Sequence, residues 1–315
     1  MRTIILVGTK KDGFIPGKLT AEVFIPIFRG TCAQHSFQVM AFPDPREFLS
    51  KKDLPQSPIV ILVYSEVRLL RSGLDPTFCK VLERVEELGA LVVHPPDVGF
   101  AIADKLATRD LILPTGVRMP ELISAEQISS LPVFSNERVG SSGAVYLQNS
   151  GKLDPSRYNT RYIDAVYEHA GSTYHVCLRA MAVGPICVAI YLRARAVCEK
   201  NPSVHSKDTP VDPDLLNHLY CEIVLPRQSE IHAICERIGS RLGPGFYSHD
   251  IVPERATGLL YVCETGFKFD DHTWWDRMTP LRGALACDDG RPSVSLVKST
   301  HAFLHLVKGR YKPEL

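Results

Sequence analysis

Two short apolar segments in the last quarter of the chain each carry one carboxylate. In Gly245-Phe246-Tyr247-Ser248-His249-Asp250-Ile251 it is Asp250, and in Leu259-Leu260-Tyr261-Val262-Cys263-Glu264 it is Glu264. The segment Glu254–Gly258 between them reads as a turn, so the two are expected to pair as a hairpin with Asp250 beside Glu264. Carboxylates at that range repel unless a cation lies between them. Hard oxygen donors that leave room for water and phosphate suit Mg2+. The alternative is a pair of polar strand ends facing water. Arg179, in Cys177-Leu178-Arg179-Ala180, lies mid-strand in apolar surroundings where an unpaired charge is costly. Arg193 and Arg195 alternate along the next strand, placed to face the same pocket or to form structural ion pairs. Upstream, Gly140-Ser141-Ser142-Gly143 is a loop of small residues whose backbone N–H groups an anion can approach closely.

The elements that must position these groups follow from apolar spacing. Thr3–Val7 and Ile59–Tyr64 are continuous apolar runs, expected of strands buried on both faces. Phe78, Val81, Leu82, Val85 and Leu88 have helical spacing, with Pro76 at the start and Gly89 past the end. Ala90–Val93 gives a further strand, ending at His94-Pro95-Pro96. Strand–helix–strand order implies a parallel sheet, so residues 1–97 read as an N-terminal α/β lobe. Ala101–Leu113 reads as one helix, Leu131–Ser135, Val145–Gln148 and Thr160–Ala165 as strands, making 98–165 a second unit. Residues 166–315 form a third. In it, Tyr174–Val183 and Ile186–Arg193 are strands joined at Gly184-Pro185, and Ile231, Ile234, Cys235, Ile238 and Leu242 are a helical stripe. Asn201–Pro213, polar and Pro-rich, reads as an exposed, mobile loop.

Composition excludes several classes. The 315 residues carry 36 Lys+Arg against 35 Asp+Glu, so bulk charge attracts neither nucleic acid nor a membrane surface. No segment reaches the ~20 apolar residues of a membrane helix, and the N-terminus lacks a signal-peptide pattern. The nine cysteines show no metal-binding spacing, and most sit in apolar segments as small core residues. A cytoplasmic protein is the expectation. Gly13-Phe14-Ile15-Pro16-Gly17-Lys18 is too short for a phosphate loop and has no Ser/Thr after the lysine. His272-Thr273-Trp274-Trp275 reads either as an aromatic wall over a substrate or as a packing anchor.

The order of these features resembles the ATP-grasp family, which includes glutathione synthetase and D-alanine–D-alanine ligase. The resemblance covers most of the chain and is strongest between about 100 and 270. It implies an N-terminal parallel α/β lobe followed by two α+β lobes clasping a nucleotide, with ATP and Mg2+ as cofactors. In such a fold Lys105 contacts phosphate and Gly140, Ser141 and Ser142 close over it. Tyr162, Ile163 and Asp164 form the adenine hinge and ribose contact, and Arg179 with Arg193 holds the transferred group. Asp250 and Glu264 bind the metal. The implied chemistry is ATP-dependent activation of a small-molecule or peptide carboxylate for attack by an amine. Homodimers are common in the family.

Two departures stand out. The family's last metal strand commonly ends Glu-x-Asn, but here it is Glu264-Thr265-Gly266, leaving Thr265, Asp270 or Asp271 as nearby substitutes. The strand before the glycine loop lacks its usual basic residue, so that role passes to Asn136 or Arg138. Both motivate a second reading, a catalytically reduced nucleotide-binding or scaffold protein. A nucleotide-sugar transferase using the two carboxylates is the third.

Overall fold

The continuous apolar runs become the strands of a parallel sheet covered on both faces. The computed structural model describes residues 2–8, 24–124, 132–140, 144–147, 153–197, 202–281, 283–286 and 292–310. Strands β1 (Arg2–Gly8), β2 (Phe37–Phe42), β3 (Ile59–Val63) and β4 (Leu91–Val93) form a sheet ordered β2-β1-β3-β4, parallel throughout. Between them run α1 (Ile25–Gln34), α2 (Pro45–Ser50), α3 (Glu66–Ser72) and α4 (Pro76–Glu87). Alternate residues of β1 and β3 face opposite ways, as the period of two requires. Ile5, Val60 and Leu62 pack with Phe48, Phe78 and Val81, whereas Ile4, Leu6 and Ile61 pack with Phe28 of α1. That second face is also covered by Phe303, Leu304 and Val307 of the last helix, α10 (Pro292–Arg310). The chain's end therefore returns to its first sheet.

After β4 come α5 (Pro96–Ala103) and α6 (Lys105–Ile112), then β5 (Val133–Asn136), β6 (Val145–Leu147) and β7 (Tyr158–Arg161) in an antiparallel sheet ordered β6-β5-β7. The single helix expected over Ala101–Leu113 is two. Asp104 is extended (φ −104°, ψ 119°), and its side chain accepts from the Leu106 N–H, capping a new helix. The strand expected over Thr160–Ala165 ends at Arg161.

The third sheet is antiparallel and ordered β10-β9-β11-β12, with β8 paired to the start of β9. Its strands are β8 (Val166–His169), β9 (Ser172–Val183), β10 (Ile186–Ala196), β11 (Phe246–Pro253) and β12 (Leu260–Phe267). α7 (Pro213–Leu219), α8 (Gln228–Leu242) and α9 (His272–Met278) accompany it. Ile231, Ile234, Cys235 and Ile238 of α8 pack into its core, as their spacing anticipated. Trp274 and Trp275 are packing anchors: both are buried, Trp274 donating its indole N–H to the Leu192 carbonyl (3.0 Å) and Trp275 to the Tyr191 hydroxyl (3.0 Å). Among the described residues no helix is long and apolar enough to cross a membrane.

His94 joins the first sheet to the third. Its buried ring donates from Nδ1 to the Leu62 carbonyl (3.1 Å) and accepts the Phe246 N–H at Nε2 (2.8 Å), so only the neutral imidazole satisfies both partners. The ring also stacks on Phe267, with centroids 4.1 Å apart. Burial pushes its pKa from 6.5 down to about 4.

Two predictions follow from this packing. Between pH 6.5 and 4 the unfolded chain binds a proton at residue 94 that the folded chain refuses, so this site's contribution to stability is lost as pH falls through that window. In urea unfolding the loss of midpoint between pH 7 and pH 5 should shrink in His94→Gln, whatever that variant's absolute stability; equal losses would show that residue 94 is not the source. Gly239 of α8 lies against the Gly184-Pro185 turn, where an added Cβ would sit 1.9 Å from the Gly184 carbonyl oxygen. Gly239→Ala should therefore cost about 3 kcal/mol by overpacking, read as a lowered thermal midpoint.

Candidate active site

A row of charges crosses the third sheet. Strand register sets Arg179 of β9 directly opposite Asp250 of β11, and Asp250 opposite Glu264 of β12. The hairpin pairing expected of the two carboxylates is thus observed. Between Asp250 and Ile251 the register slips, so that Cys263 and Glu264 together oppose Asp250. Such a bulge turns neighbouring side chains toward one side, and both residues line the same cavity.

That cavity has a volume of about 340 Å³, within the range of small-ligand sites. Its walls come from the third sheet, from β5 and β7, and from the junction of α5 and α6. Apolar surface is supplied by Ile102, Phe134, Ile163, Val176 and Val252, and charge by Lys105, Arg179, Arg193, Asp250, Glu264 and Lys268.

The arginines bind Asp250 directly. Arg179 donates from Nε (2.8 Å) and Nη2 (3.0 Å) to its two oxygens, and Arg193 lies 3.0 Å from Oδ2. Burial alone would raise the Asp250 carboxyl, but the Arg179 and Arg193 charges outweigh it and hold it far below the usual carboxylate range. Arg179 Nη1 also donates to Asp271 (2.9 Å), which accepts from Ser206 as well (2.7 Å). Arg193 is 1% exposed, and its Nε–H has no hydrogen-bond partner among the described residues. Arg195 is turned to the 202–208 segment instead, donating to the Ser203 carbonyl and lying 3.7 Å from Asp208.

Lys105 owes its position to the helix break at Asp104. It is 6% exposed, donates from Nζ to the Gly140 carbonyl, and approaches Glu264 Oε1 at 3.9 Å. One ammonium thus links the start of the small-residue loop to the carboxylate row. Burial and the Asp250 charge push the Glu264 carboxyl up, with Lys105 opposing them, although 42% of this side chain is exposed toward the cavity. Asn136, Tyr162 and Ile163 line the cavity. Gly140 has φ +93°, a conformation glycine tolerates; Ser141 and Ser142 lie outside the described residues.

Three expected site residues, Arg138, Gly140 and Asp164, do not line the cavity, Gly140 reaching it only through its carbonyl on Lys105. Arg138 forks onto Asp104, at 2.6 to 2.8 Å, and Asp104 is its carboxylate partner rather than a phosphate. Asp164 is exposed, its Oδ1 accepting from the Val166 N–H (3.1 Å) as a local turn cap. The segment expected to be an exposed, mobile loop, Asn201–Pro213, is also different. Among its described residues Val204, Ser206 and Thr209 are buried, and 202–205 line the cavity. The serine and threonine hydroxyls find partners in Asp271 and the Ala194 N–H, which is why a polar sequence can be buried here.

Sequence reasoning missed Glu66 and Lys268. Glu66, first residue of α3, lines the cavity from the N-terminal sheet, and burial pushes its carboxyl up to about 7. Lys268, just past β12, lies 3.7 Å from Asp271 Oδ1. Its sequence context, Gly266-Phe267-Lys268-Phe269, carried no signal, and Glu66 stands 198 residues from Glu264 in the chain.

The Mg2+ pair of the family fits this chain only in part. Gly266 offers no donor, Thr265 is paired with His249 (3.1 Å), and Asp271 is enclosed by Arg179 and Ser206. Asp270 is buried and does not line the cavity. Asp250 has both oxygens on arginines. Among the described residues no three His, Cys, Asp or Glu side chains are grouped to hold a metal. Glu264 does present a carboxylate to the cavity, and the Cβ position of Gly266 is a cradle reached by Glu66 Oε1 at 3.1 Å. Two carboxylates with phosphate and water suffice for one Mg2+.

No protein-family model matches the chain, and no curated protein matches it in sequence. Solved structures do match. The ATP-grasp ligase PsnB with precursor peptide PsnA2 and AMPPNP superposes at TM-score 0.54 and 13% identity, over 94% of this chain and 97% of that one. PsnB with a minimal precursor, Mg and ADP gives 0.54 at 14% identity, over 95% and 98%. D-alanine–D-alanine ligase from Bacillus anthracis gives 0.52 at 12% identity, over 99% and 100%. Three sheets in this order, matched along nearly the whole length of these enzymes, place the chain among them in architecture: it has the ATP-grasp fold.

Proposed function

We propose that the chain is an ATP- and Mg2+-dependent ligase that activates a carboxylate as an acyl phosphate for attack by an amine. The observation that carries this reading is the meeting, in one cavity, of a buried lysine, a buried arginine with an unsatisfied N–H and a cavity-facing carboxylate. A guanidinium N–H held without an acceptor is costly, and a phosphate or acyl-phosphate oxygen would satisfy it. In this reading the apolar wall around Phe134, Ile163 and Val176 receives the base, beside the hinge at Tyr162. Lys105, Arg179 and Arg193 balance charge as phosphate transfers. Bound Mg2+ would neutralise the phosphates and align them. The protein's remaining task is positioning and exclusion of water. The chain is divided as 1–97, 98–165 and 166–315, and the acceptor side is formed by the first lobe and the 202–205 segment. PsnB is a ligase complexed with a precursor peptide and the Bacillus anthracis enzyme is a D-alanine–D-alanine ligase, which supports a peptide or amino-acid substrate class.

A second reading is favoured by Gly266 and by the enclosure of Asp250: a nucleotide-binding protein with reduced turnover. The ATP-grasp fold lends the nucleotide-sugar reading no support.

Calorimetric titration with ATP and Mg2+ tests both. The wild type should bind, and Lys105→Ala should weaken binding tenfold or more, about 1.4 kcal/mol. No binding at millimolar ATP would sink the nucleotide site, and binding without phosphate release across a panel of amino acids and peptides would favour the second reading. Asp250→Asn separates strut from metal ligand. As a strut it should lose about 3–5 kcal/mol of stability in EDTA, because two buried guanidiniums lose their counter-charge; an unchanged melting midpoint in EDTA would return Asp250 to the metal.

A further inference from the structure

The last strand ends in a glycine where this fold commonly places a side-chain ligand, and the space is filled from elsewhere. A Cβ built on Gly266 would lie 3.1 Å from Glu66 Oε1. Glu66 belongs to the N-terminal sheet's helix α3, not to the strands that carry Asp250 and Glu264. Its carboxylate is fixed at this point by the Phe267 backbone N–H, which donates to it, and the helix start is held by Ser65, whose hydroxyl accepts from the Arg68 N–H. The same short helix touches the root of the small-residue loop. Arg71 donates to the Val139 carbonyl (2.8 Å) and pairs with Glu137 (3.4 Å). α3 therefore contacts both walls between which a triphosphate would lie.

We infer that Glu66 replaces the missing side-chain ligand of position 266, so that one divalent cation is held between Glu66 and Glu264 and completed by nucleotide phosphate and water. This rests on the reading of the cavity as a nucleotide site and names the residue that makes its cation site workable. Glu66 and Glu264 face the same cavity, where the Glu264 charge disfavours ionisation of Glu66 and Lys268 opposes it. Lys105, the nearest cation to Glu264, is shared with the Gly140 carbonyl. Asp250 contributes nothing to a metal while Arg179 and Arg193 hold it.

The test is Mn2+ binding to the full chain with AMPPNP, read from loss of the free-ion paramagnetic resonance signal. Glu66→Gln should weaken Mn2+ tenfold or more in the AMPPNP complex. Gly266→Asn alone should also weaken it, since the new side chain collides with Glu66. The double variant Glu66→Ala, Gly266→Asn should recover Mn2+ affinity to within threefold of the wild type, because truncation at 66 vacates the space and the asparagine amide oxygen enters it. Should Glu66→Gln not fold, Glu66→Asp, one methylene short of the cavity, carries the same expectation. Wild-type Mn2+ affinity in Glu66→Gln or Glu66→Asp would overturn the inference and leave the nucleotide site standing. Failure of the wild type to bind AMPPNP would overturn both.

Discussion

Two guanidinium groups share one carboxylate inside the third sheet, and the floor of the cavity depends on that arrangement. Arg179, Asp250 and Arg193 stand on three adjacent strands, β9, β11 and β10, so their contacts fix the strands laterally as well as in register. Removing three charges from water is expensive, and good geometry with full hydrogen bonding is needed to offset it. The geometry here is good on the carboxylate side, where each oxygen has a donor. On the guanidinium side it is incomplete, because Arg193 Nε has no acceptor among the described residues. A purely structural cluster would be expected to close on itself. One that leaves a buried donor unpaired on a residue lining a cavity is the arrangement that the proposed oxygen-rich ligand would complete.

The N-terminal sheet is equally part of this site. His94 ties β3 to the third sheet, and Tyr64 holds the segment after β4 through the carbonyls at 94 and 95 while its ring packs on Phe267 of β12. Gly99 permits that approach: a Cβ there would meet the Tyr64 hydroxyl at 2.3 Å. The neutral imidazole of His94 then passes the connection to Phe246, at the root of the strand that carries Asp250. α3 follows β3 directly, so the same ties that align the sheets also deliver Glu66 to the cavity.

Periodicity made the strands and α4 and α8 legible, because each has its apolar residues on a regular spacing that only one element satisfies. The Asp250–Glu264 pairing was legible for the same reason, since a hairpin with an obvious turn fixes which residues face each other. What the sequence hid was decided by tertiary context. The break at Asp104 sits in a run that reads as continuous helix, and only the pairing with Arg138 and the bridge to Val139 explain why the chain opens there. The 202–213 segment reads as solvent-exposed because its hydroxyls and carboxylates are polar, yet several are partnered and buried. Glu66 could not be found from pattern, for nothing near it in the chain is unusual.

The charge balance of the cavity has a consequence for what enters it. Lys105 faces Glu264, Arg179 and Arg193 face Asp250, and Lys268 faces Asp271, so each cation already has a carboxylate nearby. Glu66 adds a further acidic group whose proton is held to about pH 7 by burial. With its cations already drawn to these carboxylates, the cavity makes a bare tetra-anion compete with ion pairs that are formed without it. A nucleotide carrying a divalent cation is a different ligand. Under the proposed reading its metal would meet Glu264 and Glu66 while its phosphate oxygens would meet Lys105. On that same reading, a cavity that holds both signs favours the metal-bound nucleotide over the free one, since each member of that pair then meets its opposite charge.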